Sequence, residues 1–178
     1  METSPVQKIV VTERLTLRPF HTNDRERLLA IAQEPDIFQY FPITAAWQME
    51  KVERYINHQT GQWQRFGYGH WAVTMTETGQ LMGWCGLEFL PETSETEVAY
   101  LIGGEFWGRG YMTEAARASV NFGLTEIGLQ EIIGLTDPRN IASQRVLEKS
   151  GLTFTRRQVY FGMEMFKFST QPSGRKEA

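Results

Sequence analysis

One cysteine, Cys85, stands in a chain of 178 residues, so no intrachain disulfide can close and nothing in the cysteine usage asks for an oxidising compartment. The three histidines, His21, His58 and His70, share no metal-ligand spacing, and no catalytic metal is expected. No apolar run approaches the ~20 residues that a bilayer span requires. The opening METSPVQKIVVTERL lacks the long apolar core of a secretory signal, which makes the cytoplasm the expected location and removes the membrane as a partner. A formal charge of −3 and the absence of any Lys/Arg run leave nucleic acid without an electrostatic footprint. GKS and GKT are missing, as is G-x-G-x-x-G, so neither a P-loop nor a dinucleotide fingerprint is available.

What is present is material for one core, since 41% of the residues are hydrophobic. The pattern assigns residues 9–169 to one domain, residues 1–8 to an N-terminal extension and the polar residues 170–178 to a flexible tail. Ile9 to Phe20 reads as a first strand, with Leu15 and Leu17 alternating against Arg14, Thr16 and Arg18. His21 to Asp24 offers capping side chains before the helix RERLLAIAQ, which Pro35 ends. Trp47 to Phe66 reads as helical through Ile56 and loosens at Gly61; its aromatics Trp47, Tyr55, Trp63 and Phe66 either wall a pocket or pack the core. HWAVTM and LMGWCGLEFL form a hairpin around TETGQ, and TEVAYLIG adds a third strand. A helix over 112–128, a strand over 131–136, a helix over 141–150 and strands over 152–159 and 163–168 complete the expectation. The fold class is mixed α/β (α+β), with a central sheet of six to seven strands and flanking helices.

EFWGRGYMTEAA, residues 105–116, places Gly108 and Gly110 between a strand and a helix. Glycines there let main-chain N–H groups turn toward an anion at the positive end of the helix dipole, or they simply make a turn. Downstream, in DPRNIASQRVLEKSGL, Asn140 can cap the helix from 141. Its side chain and that of Ser143 then lie at the carboxyl end of the preceding strand, a usual ligand position in open α/β sheets.

WGRGYMTEA, followed by a helix, a short strand and N-x-A-S-x-R-V-L-E-K-x-G, resembles the GNAT superfamily of acetyl-CoA-dependent N-acetyltransferases; with TERLTLRPF, the resemblance is closest to the ribosomal-protein N-terminal acetyltransferase (Rim-type) branch and covers residues 10–168. The resemblance implies direct acetyl transfer in a ternary complex, with acetyl-CoA as co-substrate, to a primary amine, either a protein N-terminal α-amine or a small molecule, by a monomer or homodimer. It puts the pyrophosphate loop on Trp107 to Thr113, with the amides of Gly108, Arg109, Gly110, Tyr111 and Met112 as donors and Thr113 at its end. It puts the pantetheine arm along Tyr100, Leu101 and Ile102, and Asn140 and Ser143 near the thiol. Members often carry Gln or Arg where this chain has Glu105, whose carboxylate must therefore point away from phosphate.

Acetyl transfer needs a neutral amine, a polarised carbonyl and a proton for the thiolate. An α-amine of pKa about 7.7–8.0 supplies much of its own neutral form near pH 7.4, whereas a lysine amine near 10.4 is only about 0.1% neutral. Glu97, on the strand leading to the loop, is the candidate base, acting through water, or else an exposed strand carboxylate. Ser143 is the candidate partner of the thiol or else a capping serine, and Tyr160 is a further acid candidate or a packing residue. Cys85 reads as a small buried hydrophobe. The alternative function is a module that binds acyl-CoA without turnover.

Overall fold

The computed structural model describes residues 7–171; most of the expected N-terminal extension and tail lie outside the described residues. The first strand divides into β1 (Val10–Val11) and β2 (Leu15–Arg18), which pair antiparallel as a tight hairpin. Thr12 makes that turn: its N–H donates to the Leu15 carbonyl at 2.9 Å, and its hydroxyl accepts the Leu15 N–H at 3.1 Å. A 3₁₀ turn, Thr22–Asp24, leads into α1 (Arg25–Ala32). The Asp24 carboxylate accepts the His21 N–H at 2.6 Å and two bonds from Arg18 at 2.7 and 2.8 Å.

Helix α2 (Met49–Phe66) continues through Gly61 and ends at Gly67, correcting the break expected there. Its polar exposed face and the buried Val52 and Trp63 explain why one glycine does not stop it: tertiary burial outweighs a propensity cost of about 1 kcal/mol. Then come β3 (His70–Met75), β4 (Leu81–Leu90), β5 (Glu95–Ile102), α3 (Tyr111–Phe122), β6 (Ile133–Thr136), α4 (Ile141–Lys149), β7 (Thr153–Tyr160) and β8 (Met163–Ser169). Helix α3 passes into a wider π turn at Gly123–Ile127.

The sheet therefore has eight strands, not six to seven, in the order β1-β2-β3-β4-β5-β6-β8-β7. The additional strand comes from the division at Thr12 to Arg14. On one face, Leu28 and Ile31 of α1 and Val52 of α2 cover Ala72, Trp84 and Leu101. On the other, Ala115, Ala116 and Val120 of α3 and Leu147 of α4 cover Trp71, Val73, Cys85, Leu87 and Val98. A fully buried leucine such as Leu15, Leu17 or Leu87 contributes about 1.5–3 kcal/mol relative to exposure. Thr170 bonds to Ile132 through its N–H and its hydroxyl, each at 3.0 Å.

One irregularity of the sheet shapes the site. Strands β5 and β6 run parallel but pair only at Glu97↔Ile133, and beyond that point they part. The segment from Val98 to Ile102 stays paired to β4 and has no strand on its other side.

Candidate functional site

The parting strands open into a cavity of about 790 Å³, within the ~300–1,000 Å³ range usual for small-molecule sites. One wall is the segment from Glu97 to Ile102. A second is the loop and first turn of α3, with Trp107, Gly108, Gly110, Tyr111, Met112 and Thr113. Asn140, Ser143, Arg145 and Lys149 of the α4 region face these, and Asp36, Tyr40, Phe41, Phe161 and Met165 close the far end.

The loop before α3 is built to present donors. Gly108 and Gly110 have φ of +73° and +77°, a region that a side chain disfavours. None of the N–H groups from Gly108 to Thr113 donates to another backbone group among the described residues; the first to do so is Glu114, to the Gly110 carbonyl at 3.0 Å. The helix has no side-chain cap. Six adjacent unpaired donors at the positive end of a helix attract an anion. Arg14 fixes this loop from outside: Nη1 donates to the Arg109 carbonyl at 2.9 Å, Nε donates to Glu114 Oε2 at 2.7 Å, and the guanidinium lies 4.3 Å from the Tyr111 ring centre. Glu114 accepts further bonds from the Arg14 N–H at 2.8 Å and the Thr12 hydroxyl at 2.6 Å. Glu105 turns away to pair with Arg27 and does not line the cavity.

At the α4 wall, Asn140 Oδ1 accepts the Ser143 N–H at 3.1 Å, capping the helix. That cap sets the Ser143 hydroxyl 2.9 Å from the Tyr100 phenol, which also donates to the Ser143 carbonyl at 3.2 Å.

The Acetyltransferase (GNAT) domain family matches residues 14–153 of the sequence. The chain belongs to the GNAT family. An FsC-acetyl coenzyme A-N(2)-transacetylase of Aspergillus fumigatus is 30% identical over 98% of this chain and 75% of that protein. An acetyltransferase from Agrobacterium tumefaciens, 25% identical, superposes with a TM-score of 0.81 over 91% of this chain and 93% of its own. A RimL ribosomal L7/L12 alpha-N-protein acetyltransferase, solved in complex with coenzyme A, shares the fold at 15% identity, with a TM-score of 0.76 over 91% and 97% of the two chains.

This GNAT domain is an acyltransferase, and it gathers most of the residues picked from sequence around one cavity. Glu97, Tyr100, Leu101, Ile102, Gly108, Gly110, Tyr111, Met112, Thr113, Asn140 and Ser143 all line it. Arg109 does not; its carbonyl is the anchor for Arg14. Nor does Tyr160, which is buried with its hydroxyl donating to Glu95 Oε2 at 2.7 Å, while Lys167 holds the other carboxylate oxygen of Glu95. The aromatics of residues 47–66 fall on the packing side of their two readings: in α2, Trp63 is buried against Trp71, and just before it Trp47 stacks on Trp84 at 5.4 Å. The aromatic lining of the cavity comes instead from Tyr40 and Phe41, in the irregular segment before α2, together with Tyr100, Phe106, Trp107, Tyr111 and Phe161.

Glu97 is enclosed by protein except toward the cavity, and it stands directly opposite Glu88 across the β4/β5 ladder. Burial, followed by the facing charges of Glu88 and Glu95, raises its pKa from the ordinary carboxylate value to about 8. Burial also raises the Tyr100 phenol, keeping it protonated. Cys85 is fully buried, 3.3 Å from the Ser119 hydroxyl, and burial pushes its thiol up to about 12, which makes it inert.

Two sets of residues escaped the reading of the sequence. Arg14 and Glu114 lie 100 positions apart, and nothing local signals their pairing. Arg145 and Lys149 did carry a signal, a cation repeat at i, i+4 on α4 that sets both on the face toward the α3 loop.

Proposed function

We propose that the protein transfers an acetyl group from acetyl-CoA directly to a primary amine in a ternary complex, in the manner of the Rim-type branch. The observation that carries this reading is the convergence on one cavity of the unpaired amides of Gly108 and of Gly110 to Thr113, an unpaired strand edge and a carboxylate of raised pKa. The amides of Gly108 to Thr113 suit the pyrophosphate, with Arg145 and Lys149 as nearby cations. The edge at Tyr100 to Ile102, on which the Ile102 carbonyl is taken by the Trp107 indole N–H at 2.9 Å, suits the amide-bearing pantetheine arm. Each charge-assisted bond is worth roughly 1.5–3 kcal/mol, so a few of them support micromolar binding after association costs.

The bound acetyl-CoA supplies an activated thioester, and the chain's residues supply alignment and proton handling. Alignment alone is worth about 7–11 kcal/mol. Glu97 takes the proton that the attacking amine must lose, its raised pKa matching an α-amine of about 7.7–8.0. The Tyr100 and Ser143 hydroxyls, hydrogen-bonded to each other, serve the departing sulfur. Asp36, Tyr40, Phe41, Phe161 and Met165 line the end of the cavity left to the acceptor, a protein N-terminal α-amine or a small-molecule amine.

Calorimetric titration with acetyl-CoA, dephospho-acetyl-CoA and adenosine diphosphate tests the cofactor assignment. Micromolar binding retained largely by the diphosphate is the expected result, and no heat at any workable concentration would overturn it. Thiol release with a free-α-amine peptide, against its N-blocked lysine-bearing counterpart, then tests transfer.

A further inference from the structure

Behind Glu97, on the side of the sheet covered by α2, lies a set of titratable groups that acetyl transfer as described does not use. Glu88 faces Glu97 across the ladder. Its Oε1 is 2.7 Å from His58 Nε2 on α2, and its Oε2 is 3.3 Å from His70 Nε2 on β3. His70 is fully enclosed; burial lowers its pKa and keeps it neutral, and its Nδ1 is 2.8 Å from the Tyr55 phenol. His70 Nε2 has no hydrogen-bond partner of good geometry among the described residues, so Glu88 is not locked onto it. The side chain of His58 is 54% exposed, which makes it the outer end of the row. The groups facing Glu88 are thus His58 and Tyr55 from α2, His70 from β3, and Glu97 from β5, with Glu95 beyond it on the same face.

We propose that Glu88 and His58 form a proton outlet that carries the proton accepted by Glu97 at the cavity through the sheet face to solvent on α2. The proposal rests on the transferase reading of the site. In each turnover the ammonium nitrogen loses two protons, and the first leaves its bonding pair on nitrogen as the nucleophile. The second is lost as the new C–N bond is kept and the C–S bond breaks, passing to the departing thiolate by way of the Tyr100 and Ser143 hydroxyls, so that only the first must leave the site. Glu97 takes that first proton and passes it to Glu88. Glu88 passes it to His58 Nε2, and His58 releases one from Nδ1 to solvent. Both carboxylates end ionised and His58 ends neutral with its proton on Nε2; exchange of that proton with solvent, which the exposed ring permits, restores the Nδ1–H tautomer and resets the outlet without another reactant. A carboxyl that still holds its proton cannot act as the base again, and an outlet on the far side lets Glu97 discharge without waiting for the products to leave the cavity. Glu88 and His58 act through Glu97 and touch no substrate; they are positioning and relay residues.

Two measurements test this on the full chain. The first needs no acceptor: a pH titration of protein carrying ¹³C-labelled glutamate, in the wild type, His58→Gln and Glu88→Gln. Loss of the Glu88 charge lowers the Glu97 midpoint in Glu88→Gln whether or not a proton passes between them, so the outlet is read from His58→Gln, in which a displaced Glu97 midpoint is expected of coupled sites. A Glu97 titration indifferent to His58→Gln overturns the outlet.

The second is thiol release from acetyl-CoA with three probe amines: a free-α-amine tripeptide, benzylamine and spermidine. His58→Ala, a surface change that the fold tolerates, is expected to lower kcat about tenfold in dilute buffer with KM within about twofold, and added imidazole is expected to restore it. Glu88→Gln, which keeps size but cannot carry a proton, is expected to lose kcat without imidazole rescue. Unchanged kcat in His58→Ala, or a loss that imidazole leaves untouched, overturns the outlet alone. A wild type that releases no thiol with any probe overturns the transferase reading and the outlet's use in it, whatever the coupling between Glu88 and Glu97.

Discussion

The phenol of Tyr100 and the hydroxyl of Ser143 stand 2.9 Å apart in the cavity although 43 positions separate them in the chain. The contact joins the unpaired edge of β5 to the first turn of α4, and the Asn140 cap holds the serine in place for it. Either hydroxyl alone can rotate; paired, each limits the other. Tyr100→Phe and Ser143→Ala are each expected to lower kcat by about tenfold with little change in KM, and the double variant to lose less than the product of the two. Additive losses measured by thiol release would mean that the two hydroxyls act separately.

Gly108→Ala isolates backbone conformation from crowding, because a Cβ there meets no atom within 4 Å while φ stays at +73°. Left-handed backbone costs a side chain roughly 1–2 kcal/mol. The ligand-free variant is expected to relieve this strain by leaving the left-handed region, so that re-forming the loop on binding lowers affinity for coenzyme A about five- to thirtyfold by calorimetry. Undiminished affinity would show that the loop amides do not hold the diphosphate.

Arg14→Lys keeps the charge but cannot bond to Glu114 and the Arg109 carbonyl together. The predicted result is a loss of stability of about 1–3 kcal/mol and weaker coenzyme A binding from the same change. A variant that lost stability but bound coenzyme A normally would confine Arg14 to the fold.

Acid acts on the carboxylates held by hydrogen bonds. Burial opposes ionisation of Asp24, Glu95 and Glu114, yet bonds from Arg18, from Lys167 and Tyr160, and from Thr12 and Arg14 outweigh it and hold all three below their ordinary values. Arg139 does the same for Asp137. A depressed folded pKa adds stability above the unfolded value and loses it as pH drops through the folded one. Melting temperature is expected to hold down to about pH 4.5 and to fall steeply below it; a flat profile to pH 3 would contradict these ion pairs.

Glu97 works in the opposite direction. Its folded value of about 8 exceeds its ordinary 4.5, so the folded chain keeps a proton that the unfolded chain has released. Stability accordingly declines as pH rises from about 4.5 to 8 and levels off beyond. Glu97→Gln removes that slope: relative to wild type, the variant should gain about 2–4 °C in melting temperature per kcal/mol at pH 9 and little at pH 4. The same substitution is expected to lower kcat about 10²-fold or more and to erase the rise in rate through pH 8. Retention of full activity would assign the amine's proton to another acceptor.

Order, type and approximate extent of the main elements follow from sequence because they depend on nearby residues: the alternation around Leu15 and Leu17, the Asn140 cap and the positive-φ glycines at 108 and 110 are all local facts. The hairpin at Thr12 was less legible, since a turn without glycine or proline depends on hydrogen bonds that no composition signals. Gly61 misled for the converse reason, as burial of Val52 and Trp63 outweighs the propensity of one residue. The sequence alone determined that a donor-rich loop precedes a helix and that the chain has the GNAT pattern. Only tertiary structure decided that β5 and β6 part after Glu97, that Glu88 lies opposite Glu97, that Tyr160 is spent on Glu95 and that Arg14 reaches Glu114. Those relations join positions far apart in the chain, and which of them form is settled by strand register and packing, which no local pattern encodes.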